Sequence, residues 1–334
     1  MRTLLKPTRS ELMQLDDIAR NLGIGKQWSG PKMVADAVDA SLRRADPLLK
    51  EVAPRGELVA EKLASHYHVR FEEVRTEKDI DILEDRYLRC KKEIGFAQLR
   101  EELRNPKIDA LLFRRLYAKE DDPDRWVAIL NLLVTQDRAY WSRFHELSHR
   151  IAEPQQRLLP FKRERVDDKN AVEALIDTIA GALGFHKRLF GPLVSAVHGC
   201  PLTFEKIRGM RDAYAPTASL LAVTNAVVAM WPRPALAFVA CVRGRVSDDR
   251  QDRALRVAPQ GRNDIARQEA LYVIPNMRVP QASVVYDVFH SGNDQTDFER
   301  CGIWETSDGT RLPDHKVLIS ATRIGEQVYC VMSA

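Results

Sequence analysis

His145-Glu146-Leu147-Ser148-His149 is an H-E-x-x-H string, and its spacing alone implies a reaction. On a helix, residues four apart lie on one face, so His145 and His149 can meet one metal ion. Glu146, beside the first imidazole, can reach water at that ion. This is the arrangement of a zinc peptidase, in which the metal lowers the pKa of water and the carboxylate takes the proton. Ala139 to Phe144 lead into the string without glycine or proline, which predicts a helix through it. Leu147 and Ile151 mark a buried stripe on that helix, and the two histidines mark the stripe beside it. The plainer alternative is a solvated helix face carrying two histidines and a glutamate.

A catalytic zinc needs a third protein ligand and an open position for water. Residues 153–169 read as a loop, because Pro154, Pro160 and a mixed charge run break any period. Helical spacing resumes after Asn170, a fair N-cap, with Val172, Leu175, Ile176, Ile179 and Leu183 as a core stripe. Glu173 and Asp177 stand four apart on this apolar helix, and buried carboxylates need a partner. A metal supplies one. Glu173 is therefore expected as third ligand, with Asp177 behind it orienting a ligand imidazole. The alternative for both is an ordinary surface acid.

At these residues the chain resembles the ImmA/IrrE family of metallo-endopeptidases. Members carry an H-E-x-x-H helix and then a helix of the form E-x-x-x-[N/D]-x-[F/I]-A. Glu173-Ala174-Leu175-Ile176-Asp177-Thr178-Ile179-Ala180 matches that form position by position. Glu93-Ile94-Gly95-Phe96-Ala97, Lys107 to Arg115, Arg138 to Trp141 and Leu189-Phe190-Gly191-Pro192 are similar to a longer-chain branch of the family. The likeness spans roughly residues 57–232. It implies that the metal is zinc, that Glu146 is the general base, and that the fold is a mainly helical zincin-like core. It also implies a protein substrate, a helix-turn-helix repressor of the Xre type, whose loss switches on stress, phage or mobile-element genes. One departure is Ser148, where many members have glycine; helices tolerate serine there.

The positioning elements are expected as follows. The fold class is α+β in three parts: a helical N-terminal extension (1–55), the metallopeptidase domain (56–232) and a β-rich C-terminal module (233–334). The extension holds two amphipathic helices, Glu11 to Leu22 and Met33 to Leu42, and faintly resembles a helix-turn-helix. Leu58 to Ala64 reads as a helix, and His66 to Phe71 as the opening of a strand in which His66 and His68 alternate with apolar residues as surface histidines. Glu77 to Arg104 reads as helical. Ile108 to Tyr117 and Trp126 to Val134 read as strands around an acidic turn, giving a small sheet whose edge can pair with extended substrate. Thr203 to Arg208 and Thr217 to Met230 read as helices. In the last module, Ala235 to Val242, Ala270 to Ile274, Lys316 to Thr322 and Gln327 to Met332 read as strands, and Val284 to Phe289 as strand or helix. Family members can carry a GAF-like sensing domain there. Trp304 and Phe298 can line a pocket in it or serve as core. His186, His198 and Tyr140 are candidates to stabilise an oxyanion, each with a structural role as the alternative.

Composition narrows the class. The 334 residues are 45% apolar and 29% charged, as in a soluble globular protein. The net charge of +4 is spread along the chain, so direct nucleic-acid binding is not expected. No signal peptide is expected, since the first apolar run, Leu4-Leu5, ends at Lys6-Pro7, and the longest apolar region, Ala218 to Met230, is too short to span a bilayer. The five cysteines are widely spaced, as reduced thiols in a cytoplasm would be. A zinc endopeptidase is the leading expectation. The rival is a non-catalytic zinc-containing regulator that sequesters a repressor or DNA.

Overall fold

Two apolar runs, Ala110 to Phe113 and Trp126 to Leu130, become the central strands of a sheet. Such runs suit strands covered on both faces. The computed structural model describes residues 7–25, 30–133, 138–152, 161–164, 170–244, 253–306 and 309–334. It is a mixed α+β fold, mainly helical, with two small sheets. The chain divides into two compact units, Arg2–Leu189 with Tyr214–Ser219, and Phe190–Ala213 with Leu220–Ala334.

The first unit opens with α1 (Arg9–Leu22) and α2 (Pro31–Ala45). A capping box of Thr8 and Glu11 starts α1, and Gly23 ends it at φ 73°, a conformation glycine adopts without steric cost. Then come α3 (Gly56–Tyr67), β1 (Val69–Val74), α4 (Glu77–Leu83), α5 (Leu99–Arg104), β2 (Ile108–Arg114), β3 (Trp126–Asn131), α6 (Ala139–Ala152), β4 (Phe161–Glu164) and α7 (Ala171–Gly184). The strand order is β1-β3-β2-β4. β1 runs parallel to β3, and β2 runs antiparallel to both β3 and β4. Helices α1 and α2 are tied to α6: the Asn21 amide donates to the Ile151 and Ala152 carbonyls at 3.2 and 2.7 Å, and Arg44 donates to Ile151 at 3.0 Å. These donors satisfy carbonyls that a helix end leaves unpaired.

The second unit begins within α8 (Lys187–Val197) and holds most of α9 (Phe204–Tyr214), then α10 (Leu220–Met230), β5 (Ala235–Arg243), β6 (Ala254–Arg262), α11 (Asp264–Gln268), α12 (Val284–Ser291), β7 (Gln295–Arg300), β8 (Lys316–Ile324) and β9 (Gln327–Ser333). Its five strands are antiparallel in the order β6-β5-β9-β8-β7. One face of the sheet packs on α12 and Trp304 through Phe238, Ile319 and Met332. α10 packs on the sheet, and the Ser320 hydroxyl accepts from Phe204 N at 3.0 Å. All five cysteines are free thiols. No described helix is long and apolar enough to cross a membrane.

Several expectations are corrected here. His66 lies inside α3, and His68 caps that helix at φ 56°, so their alternation is not that of a strand. Residues 77–104 do not form one helix: α4 runs into a π-helical turn at Glu84–Cys90, and a 3-10 turn at Ile94–Phe96 precedes α5. Within 153–169, residues 161–164 form the edge strand β4, and the remainder lies outside the described residues. Residues 270–274 are not a strand; Leu271 and Val273 enter the core without joining the sheet. Residues 284–289 are helical. Trp304 is fully buried while Phe298 is 60% exposed, so the two do not line a pocket together.

Gly56 begins α3 against Tyr140. A Cβ there would lie 2.7 Å from Tyr140 Cε2. Alanine is the better helix former, so any loss on substitution isolates the clash. Gly56→Ala is expected to destabilise the protein by about 1–3 kcal/mol. The midpoint of urea unfolding measures this, and an unchanged midpoint would refute the packing.

Candidate metal centre

The site is built from two helices that touch closely. On α6, Tyr140, Phe144, Leu147 and Ile151 recur at helical spacing and are buried. Trp141, His145 and His149 follow each other at intervals of four on the adjacent stripe. On α7, the Asn170 side chain accepts from Glu173 N at 2.8 Å and starts the helix. Val172, Leu175, Ile176, Ile179 and Leu183 anchor its buried side. Glu173 and Asp177, one turn apart, are directed at α6.

Small residues set the approach. A Cβ on Gly181 would stand 3.2 Å from the Trp141 ring, and one on Gly184 would stand 3.1 Å from Phe144. The α6 side chains therefore rest directly on the backbone of α7. Larger residues at these two positions would push the helices apart.

Three donor groups meet across this contact. His145 Nε2 and His149 Nε2 are 3.1 Å apart. Glu173 Oε2 lies 3.2 Å from His145 Nε2, and Glu173 Oε1 lies 3.5 Å from His149 Nε2. Both imidazoles are buried. Zinc–ligand bonds of about 2.0–2.1 Å at tetrahedral angles put ligand atoms about 3.3 Å apart. The three measured separations bracket that value. Two imidazole nitrogens turned on each other beside a carboxylate also need a proton or a cation among them. His145, His149 and Glu173 therefore fit a zinc-like ion on both spacing and chemistry, and they form a cluster able to coordinate one.

The hydrogen bonds around the cluster point the same way. His145 Nδ1 is 2.9 Å from Asp177 Oδ1. With the carboxylate accepting, Nδ1 carries the hydrogen and Nε2 keeps its lone pair for a metal. The Trp141 indole N–H donates to the same Asp177 oxygen at 3.2 Å. Burial pushes the Glu173 carboxyl pKa up, but when protons rather than a metal sit among the imidazoles, the charge of His149 and hydrogen bonds from both rings outweigh it. The net effect holds that carboxyl far below the usual range, ready as an anionic ligand.

Glu146 lies on α6 beside His145 and is fully buried. Arginines flank the histidine pair. Arg143 is paired with Glu73 of β1 at 2.6 Å. Arg150 lies over the Trp126 ring at 5.0 Å. Burial lowers the Arg150 pKa from its ordinary value, and the like charges of Arg125 and Arg114 add to that.

The three oxyanion candidates have partners outside the cluster. The Tyr140 hydroxyl donates to the Gly184 carbonyl, and burial pushes its pKa well up. His186 is buried with Nε2 3.3 Å from Asp46 Oδ1, and burial lowers its pKa. His198 is exposed, just past the end of α8, and its ring bonds the Ser195 carbonyl of that helix. Trp141 is the residue that sequence reasoning passed over as a site group. Its signal was available, since it stands four residues before His145 on the same stripe.

Removing the groups behind the ligands is expected to loosen the metal without unfolding the chain. Asp177→Ala should weaken zinc binding about 10–100-fold, and Trp141→Phe should weaken it in the same direction by less. Competition with a chromogenic chelator measures both, and equal affinity for Asp177→Ala and the parent would refute the orienting role. Comparison with protein-family models finds none that matches this chain, and no curated protein matches it either.

Proposed function

We propose that this chain is a zinc endopeptidase of the ImmA/IrrE type. The observation that carries the reading is the convergence of His145, His149 and Glu173, with donor atoms 3.1–3.5 Å apart. Among the described residues three groups meet, none of them cysteine, whereas structural zinc sites usually close with four ligands and favour cysteine. Zinc, when bound, supplies a Lewis acid and lowers the pKa of water. The protein supplies the rest. Glu146 takes the proton from the attacking water and later passes it to the leaving amine. Asp177, held by Trp141, keeps His145 in the tautomer and orientation a metal ligand needs. The first unit is then a zincin-like core.

The substrate in this reading is a regulatory protein, a helix-turn-helix repressor of the Xre type. An extended segment of it pairs with a sheet edge, and β1 and β4 are the edge strands among the described residues. The β-rich part of the chain, residues 233–334 with the five-stranded sheet, is read as a GAF-like sensing module. Arg143 and its Glu73 partner tie α6 to β1, and so hold the metal stripe against the sheet.

Glu146→Gln separates catalysis from binding. It is expected to retain zinc and to lose about 10²–10⁴-fold in cleavage of an Xre-type repressor, followed by mass spectrometry of fragments. Chelation should stop cleavage by the parent chain, and added zinc should restore it. Full cleavage by the zinc-loaded Glu146→Gln variant would refute the general-base role. An intact repressor held in a stable zinc-dependent complex would replace the peptidase with a sequestering regulator.

A further inference from the structure

Three arginines lie at one end of the four-stranded sheet, close enough that the charges of Arg125 and Arg114 both act on Arg150. Arg114 closes β2 and pairs in register with Trp126, the first residue of β3. Arg125 immediately precedes Trp126, and its carbonyl accepts from Arg115 N at 2.9 Å, which locks the two strand ends side by side. Arg150, in the last turn of α6, lays its guanidinium 5.0 Å above the Trp126 ring and 6.0 Å from the Tyr67 ring.

The group is short of negative charge and of acceptors. Among the described residues, the only carboxylate paired with any of the three is Glu120, 3.5 Å from Arg125 and 94% exposed. Two donors are buried without an acceptor among the described residues, Arg150 Nε–H and the Trp126 indole N–H. Buried donors are nearly always paired, and an exception calls for a ligand or water. Neighbouring like charges repel unless an anion lies between them. A position near the C-terminal end of α6 favours a cation at Arg150. That effect leaves both buried N–H groups without an acceptor among the described residues and does not bear on Arg114 or Arg125.

We propose that Arg114, Arg125 and Arg150, together with the Trp126 indole N–H, form a binding site for a single oxyanion group, a carboxylate or a phosphate. Guanidinium forks take both kinds of group with two parallel hydrogen bonds. The Trp126 and Tyr67 rings form an apolar wall beside them, where a charge-assisted bond is stronger than in open water. The site is independent of metal at His145, His149 and Glu173, so its test does not require zinc.

The indole N–H of Trp126 reports occupancy directly. The full chain is labelled with ¹⁵N, and that resonance is identified by its loss in Trp126→Phe. Inorganic phosphate and tri-glutamate are titrated separately, each against sodium chloride at equal ionic strength. A saturable shift beyond the chloride control is expected with at least one of them. Its affinity should fall roughly tenfold in Arg114→Gln, and further in the Arg114→Gln/Arg125→Gln double variant. Response to phosphate alone identifies a phosphate-bearing ligand, and response to tri-glutamate alone identifies an acidic peptide. No saturable shift with either probe, or unchanged affinity in Arg114→Gln, overturns the site.

Discussion

The close contact of α6 with α7 is the constraint on which the candidate centre depends. An ion of zinc's size tolerates little error, because its bonds to nitrogen and oxygen vary by only about 0.1–0.2 Å. Two of the groups able to hold such an ion come from one helix and the third from another. The helix period sets the spacing of the histidines, but only the interhelical distance sets where Glu173 arrives. Gly181 and Gly184 lower that distance by letting Trp141 and Phe144 seat against the α7 backbone. The apolar stripes on the other sides of both helices then hold the contact in place.

Electrostatics at the contact follow from burial. A carboxylate and two imidazoles brought together away from water form a group of acceptors with too few protons. Glu173 and Asp177 divide the ring nitrogens of His145 between them. One faces Nε2 and the other faces Nδ1, at 3.2 and 2.9 Å. The arrangement makes Nε2 the lone-pair side and directs it at His149 and Glu173. A cation between them would offset the repulsion that burial otherwise strengthens.

The sheet shows how one strand separates charges of different use. Arg114 and Arg115 are neighbours at the end of β2, and strand geometry sends adjacent side chains to opposite faces. Arg115 is buried and satisfied by Glu93 and Asp124, and Asp124 also holds Lys91. Glu93 in addition accepts from Leu116 N at 2.7 Å, which fixes the chain leaving the strand. That network positions the sheet end. On the other face, Arg114 meets the cationic group beside Trp126, whose one carboxylate partner among the described residues is the exposed Glu120 on Arg125.

Helix periodicity was enough to read the two helices of the centre from the chain alone. His145 and His149 share a stripe, Glu173 and Asp177 share another, and the apolar positions beside each give the buried faces. The same holds for β5, β8 and β9, whose apolar runs are covered on both faces or centrally placed. The edge strands escaped because their residues face water or break the ladder. β7 is nearly all polar, and β6 contains Pro259 and Gly261. His66 and His68 misled because alternation over so short a span cannot distinguish a strand from the end of a helix that stops at a positive φ. Sequence determined which side chains share a face, since that depends only on local backbone geometry. Tertiary structure alone decided which faces meet, that Trp141 reaches Asp177, and that Arg114, Arg125 and Arg150 converge. Those outcomes depend on distances between segments far apart in the chain, and no local period encodes them.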